Sequence, residues 1–144
     1  MPDSVNQASI FVPMLVVVLI TFVAFLRMGA ARAAAMKAGQ DADYYRSHTK
    51  GSEPEATVIA VRHYGNLFEM PTIFYPACLC AFVLEAVGSW TLVFAWGFTV
   101  LRILQSLVHM TYNNPMHRGM PFVFSGMFMM ALWINVAIAV FARL

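Results

Sequence analysis

Three residues in one apolar stretch carry the chemistry of this chain: Arg62, Asn66 and Glu69, spaced i, i+4 and i+7. On a helix of 3.6 residues per turn that spacing stacks a cation, an amide and a carboxylate on one face over two turns. The flanking runs, Val58 to Val61 behind and Ile73 to Val87 ahead, are apolar enough for a membrane span. Ionisable groups at membrane depth are costly and need a partner or a task. A second stripe, Arg102, Gln105, His109 and Tyr112 at i, i+3, i+7 and i+10, interrupts another apolar helix. Two polar stripes imply a shared seam.

The elements that must position these stripes follow from composition. The chain has 144 residues, 60% hydrophobic and 11% charged, with a mean hydropathy of +0.69. Such a chain is too apolar for a soluble domain and reads as an integral membrane protein in contact with the lipid bilayer. The net charge of +2, without any basic run, gives no reason to expect a nucleic-acid partner. Cys78 and Cys80, at i, i+2, point to different helix faces and suit neither a disulfide nor chelation.

Hydropathy places four spans, at residues 9–27, 55–87, 90–112 and 122–141, in a single membrane domain covering 1–144. The fold class expected is an all-α membrane four-helix bundle. The first apolar run follows the acidic Asp3 with no basic residue before it, so it is read as a retained span rather than a cleavable signal. Pro71 and Pro76 fall inside the second span, and a bend just past Glu69 is expected to open space beside its polar face. Residues 39–54 form the one polar connection, and residues 113–121 read as a short turn-rich one. Arg27, Arg32, Lys37, Arg46, Lys50 and Arg118 cluster on one side of the spans, against Arg143 on the other. Loops 1 and 3 are therefore expected to be cytoplasmic, with both termini opposite.

Depth brings the stripes level. At about 1.5 Å per residue, Arg62 and Asn66 lie roughly 8 to 15 Å inward and Glu69 roughly 18 Å, while His109, Gln105 and Arg102 lie at roughly 3, 9 and 14 Å. This predicts an upper layer of Arg62, Asn66, Gln105 and His109, with Glu69 and Arg102 as an ion pair beneath. That pair has a purely structural reading, two charges neutralising one another between helices. The remaining donors exceed the acceptors, which suits a small ligand with carboxylates, its ammonium group received by Glu69. His63, His109 and His117 lie on different faces or in a loop, so no metal site is expected.

Arg62-x3-Asn66-x2-Glu69 followed by Pro71, in the second of four spans, resembles the signature of the family of membrane-associated proteins in eicosanoid and glutathione metabolism (MAPEG). Arg102-Ile103 with Gln105 and His109, then Arg118, is similar to its microsomal glutathione transferase branch, and His109 to Asn113 (HMTYN) to bacterial-looking members. The resemblance implies a homotrimer that binds glutathione as co-substrate between subunits and conjugates it to a small lipophilic electrophile, or acts as a peroxidase, in a bacterial inner membrane. It assigns Arg62, Asn66 and Glu69 to glutathione; Gln105, His109 and Tyr112 from the second stripe, together with Arg32, are added to them as candidates for the binding set. It assigns Arg118 to the thiolate. The chemistry is sound by itself, since a nearby guanidinium favours the thiolate over the thiol. Eicosanoid-forming members have Tyr where this chain has Met70, Gln105 and His109, which points away from leukotriene synthesis. Two other classes fit the same residues: a small proton-coupled exporter protonated at Glu69, and a non-catalytic scaffold of the same fold.

Overall fold

The computed structural model describes residues 5–48 and 51–144, so Asp3 and Lys50, which enter the readings of signal and orientation, lie outside the described residues. Every regular element among the described residues is helical. A 3-10 turn, Gln7–Ile10, leads into α1 (Phe11–Lys37). A single turn, α2 (Tyr44–Ser47), lies in the first loop. The second span is divided into α3 (Glu55–Asn66) and α4 (Pro71–Val83), followed by α5 (Ser89–Met110) and α6 (Pro115–Phe141). Four helical stretches are long and apolar enough to cross a membrane, counting α3 and α4 as one. The protein is an integral membrane helical bundle.

Local chemistry sets the ends of these helices. Asn6 opens the first turn by accepting the Ala8 N–H at 3.0 Å. Pro13, in the first turn of α1, has no N–H to lose from the helical ladder. Residues 115–121, read from sequence as connection, are helical instead. Asn114 Oδ1 accepts the N–H groups of Met116 at 2.9 Å and His117 at 3.2 Å, and Pro115 takes the first helical position. A strong N-cap therefore overrides the turn signals of the proline and glycine that follow.

The inner stripe of α5 holds the bundle together. Thr91, Ala95, Phe98, Arg102, Gln105 and His109 recur every three or four residues and are all buried. Its first half is largely apolar and its second half polar. Around the first half, Phe74 of α4 stacks on Phe98 with ring centres 4.3 Å apart, and Ile10, Val17, Ala77, Ala81 and Leu132 complete the core. Gly97 is required where α6 crosses, because a Cβ there would overlap the Phe128 ring.

The contacts also give direction. Gln7, before α1, bonds Val87, before α5. Arg27, late in α1, bonds the Met110 carbonyl at the end of α5 at 3.1 Å. So α1 and α5 run parallel, and Arg143 after α6 returns to the Leu84 carbonyl at the starting end. The outward faces are apolar, with Leu15, Leu19, Phe22 and Leu26 exposed along α1, as lipid contact demands.

Candidate functional site

The break in the second span decides where its polar residues go. Pro71 has no N–H to continue the helical ladder, and residues 67–70 form turns between α3 and α4, with Leu67 and Met70 still at right-handed helical dihedrals. Leu67 and Phe68 bond back only three residues, to the Tyr64 and Gly65 carbonyls at 3.1 and 2.9 Å, which tightens the last turn of α3. Arg102 then supplies a cap from α5. Its Nη2 donates to the Asn66 carbonyl at 2.6 Å and its Nη1 to Gln105 Oε1 at 2.7 Å. The guanidinium is fully buried, with Phe98 and Phe122 ring centres 5.7 and 5.3 Å away.

This arrangement overturns the expected Glu69–Arg102 ion pair. No carboxylate lies within 4.0 Å of Arg102 among the described residues. The reason is the break: residues 67–70 form turns rather than a continuous helix, so i, i+3 spacing does not set Glu69 on the face of Asn66. Glu69 is exposed, and its carbonyl accepts the Thr72 hydroxyl at 2.5 Å. Arg62 is exposed as well, and Asn66 half-buried. The single expected layer thus divides into an outer face on α3 and an inner cluster on α5.

The inner cluster contains a pairing that sequence spacing did not reveal. His63 and His109 are both buried, with ring centres 4.9 Å apart. His63 follows Thr57 and Ala60 on the inward stripe of α3, and that periodicity was its only signal. His109 Nε2 lies 2.9 Å from Arg118 Nη1. A guanidinium only donates, so Nε2 accepts, and the neutral ring carries its proton on Nδ1. Arg118, half-buried at the start of α6, also donates to Asn113 Oδ1 at 2.6 Å. Arg27 reaches the same layer from α1 and acts electrostatically on both histidines.

This layer has more polar atoms than partners. Both ring nitrogens of His63, His109 Nδ1, Arg27 Nη1 and Arg102 Nε are buried without a hydrogen-bond partner. Unpaired buried groups of this kind are rare and mark places where a structure awaits water, a ligand or movement.

The other sequence-derived candidates stand at the rim. The exposed Tyr112 hydroxyl lies 3.1 Å from His117 Nδ1. Arg32 is turned to the first loop, 3.9 Å from Glu53 and 5.5 Å from the centre of the Tyr45 ring. Burial, then the neighbouring Glu53 carboxylate, raises the Tyr45 phenol above its ordinary pKa, so it remains a neutral donor. Structure thus joins His109 to Arg118, and Gln105 to Arg102 and the Asn66 backbone. It leaves Arg62, Tyr112 and Arg32 apart from them, while the Glu69 carboxylate acts on Arg102 through space without an ion-pair contact.

Beside the break, α1 and the second span enclose an apolar groove of about 450 Å³, lined by Val18, Phe22, Phe25, Tyr64, Phe68 and Tyr75 among others. It opens on the outward surface of the bundle, where an apolar molecule arriving from lipid has direct entry.

In comparison with known proteins, a family model described as the MAPEG family matches residues 10–138 of the chain. No curated protein and no solved structure matches it.

Proposed function

The chain belongs to the MAPEG family, and on that premise we propose that it is a membrane glutathione transferase or peroxidase-like enzyme. It activates the glutathione thiol for attack on a small lipophilic electrophile. The observation that carries this reading is the state of Arg118: half-buried, with only the neutral acceptors His109 and Asn113 and no carboxylate within 4.0 Å among the described residues. A guanidinium so placed keeps its charge available to an anion. A thiol proton beside it is lost more readily, because the anion gains a charge-assisted partner.

Arg62 and Glu69 support a site completed by a neighbouring copy. Both are exposed on the second membrane span, Arg62 on α3 and Glu69 in the turn that follows it, where lipid contact is unfavourable by up to roughly 2.5–3.5 kcal/mol per charged group on insertion scales. Cover by a second subunit removes that cost, and glutathione bridging the two surfaces supplies carboxylates for Arg62 and an ammonium for Glu69. In this reading the assembly is a homotrimer, Asn66 joins Arg62, and Gln105, His109, Tyr112 and Arg32 border the ligand. The apolar groove beside the break suits the electrophile. With the basic loops 1 and 3 facing the cytoplasm, a bacterial inner membrane would receive glutathione from that side.

Calorimetry on the detergent-purified protein tests this. Glutathione should bind, and Arg62→Ala should weaken it about 10- to 100-fold, as loss of a charged hydrogen bond of roughly 1.5–3 kcal/mol implies. Arg118→Ala should keep binding but lose the ultraviolet absorbance of bound thiolate. Absence of binding at millimolar glutathione would sink the enzyme.

The exposed Glu69, without an ion pair among the described residues, favours a second reading as the protonation site of a small proton-coupled exporter. Glu69→Gln separates the two: it abolishes proton-driven transport in an exporter and only weakens glutathione binding in the enzyme. If Glu69→Gln lowers thermal stability alone, a scaffold role is left.

A further inference from the structure

We propose that His109 is the base that takes the thiol proton, and that Arg118 uncovers it as the sulfur arrives. The inference rests on the glutathione reading above and deepens it. Its starting point is the 2.9 Å contact between Arg118 Nη1 and His109 Nε2. Because the arginine donates, Nε2 holds a lone pair and no proton. The ring is therefore already in the form that can accept one, masked by the residue assigned to the sulfur.

Position favours this order. Arg118 is half-buried at the mouth of the bundle and His109 lies buried behind it, in the last turn of α5. A thiol approaching from outside meets the guanidinium first. When Arg118 turns its Nη1 to the sulfur, Nε2 loses its donor and faces the S–H. The S–H bond breaks, an N–H bond forms at Nε2, and the electron pair stays on sulfur as a thiolate held by Arg118.

The surroundings make the stay on His109 brief. Charged and titratable groups face this ring from each neighbouring helix: Arg27 from α1, His63 from α3 and Arg118 from α6, with Arg102 further down α5 acting on His63. None of these is acidic, and no carboxylate lies within 4.0 Å of the three arginines among the described residues. An imidazolium here has cations around it and no anion but the thiolate beside it.

That setting selects a substrate class. Attack of the thiolate on an epoxide or an α,β-unsaturated carbonyl moves an electron pair onto oxygen or carbon, and that atom then takes the Nε2 proton. His109 ends neutral, Arg118 returns to it, and every proton is accounted for. An aryl halide yields a halide ion that does not take the proton, so the ring stays charged until water removes it. Electrophiles that end as alcohols or saturated carbonyls are therefore the matched acceptors.

Stopped-flow absorbance of thiolate formation, after mixing the purified protein with glutathione, tests the assignment. Glutamine at position 109 keeps an acceptor for Arg118 but is no base. His109→Gln, compared at glutathione concentrations that saturate each protein, should slow thiolate appearance by about 100-fold, at the lower end of what a positioned base contributes, while the final amplitude holds. In His109→Ala, added imidazole should restore the rate in proportion to its free-base concentration. A wild-type rate in His109→Gln overturns the proposal. So does lost amplitude without imidazole rescue, which would make His109 only a support for Arg118. Binding without any thiolate in the wild type overturns this proposal and the thiolate role of Arg118 together; no binding at all overturns the enzyme reading itself.

Discussion

The two ends of the bundle solve the same problem of polar groups in a membrane in opposite ways. At the end holding the start of α1, the side chains that bond between elements are neutral apart from the exposed Arg143, which donates to the Leu84 carbonyl. Gln7 donates to the Val87 carbonyl at 3.0 Å and accepts the Val87 N–H at 2.9 Å. Thr91 Oγ1 accepts the Gly88 N–H at 3.1 Å and lies 2.8 Å from Asn135 Oδ1. At the other end, arginines and histidines meet, and every buried side-chain nitrogen or oxygen left without a partner among the described residues belongs to that half. One end is closed by matched amides and hydroxyls, the other left with surplus polar atoms. Under the proposed function, stability and chemistry are separated along the length of the bundle.

Three substitutions can break or sharpen that contrast. The largest effect is expected at the charged end. Arg118→Ala should lower conjugation activity by about 10²- to 10³-fold, the range for removing a charge-stabilising donor, with only a modest fall in thermal midpoint in detergent, since His109 Nε2 and Asn113 Oδ1 lose a donor at about 1–3 kcal/mol each. A large fall in midpoint would show that this end is structural too.

Arg102→Met is the intermediate case. It strands the Asn66 carbonyl and the Gln105 amide, at about 1–3 kcal/mol each, but removes a buried cation costing about 2.5–3.5 kcal/mol on insertion scales. These nearly cancel, so thermal stability should move little. The freed end of α3 should lower glutathione affinity about tenfold, a 1.4 kcal/mol effect. A calorimetric titration showing wild-type affinity would sever the cap from the site.

The smallest effect belongs to the neutral end. Gln7→Ala removes two hydrogen bonds to Val87 and should lower stability by about 1–2 kcal/mol, read as a lower thermal midpoint, without altering glutathione affinity. An affinity change there would end the idea of two independent halves.

Much of this division was legible in the chain, and the rest was hidden for a definite reason. Hydropathy marked four spans, and the i, i+3, i+7 spacing of Arg102, Gln105 and His109 located a stripe that is indeed buried on one face. The spacing of Arg62, Asn66 and Glu69 assumes an unbroken helix through Pro71, whose missing N–H instead leaves turns over residues 67–70. His63 reads in the sequence as lying on a different face from His109, yet the two rings lie with centres 4.9 Å apart. That meeting depends on how α3 and α5 are turned toward each other, which no single-helix periodicity encodes. Asn114 is the opposite case: its N-cap role was readable from an Asn-Pro pair before a helix, and the turn signals after it drew attention away.

The separation of Glu69 from Arg102 has an electrostatic consequence. Dividing the span makes two helix dipoles in place of one, with the carbonyl pole of α3 at Asn66 and the amide pole of α4 at Pro71. Arg102 sits on the first pole through the Asn66 carbonyl, and Glu69 lies two residues ahead of the second. Each charge has the pole of opposite sign beside it, an interaction of about 0.3–1 kcal/mol at a surface and up to ~2 kcal/mol when partly buried. Two ions that do not meet one another are thus each partly neutralised by the backbone, and the acid keeps its side chain free for another molecule.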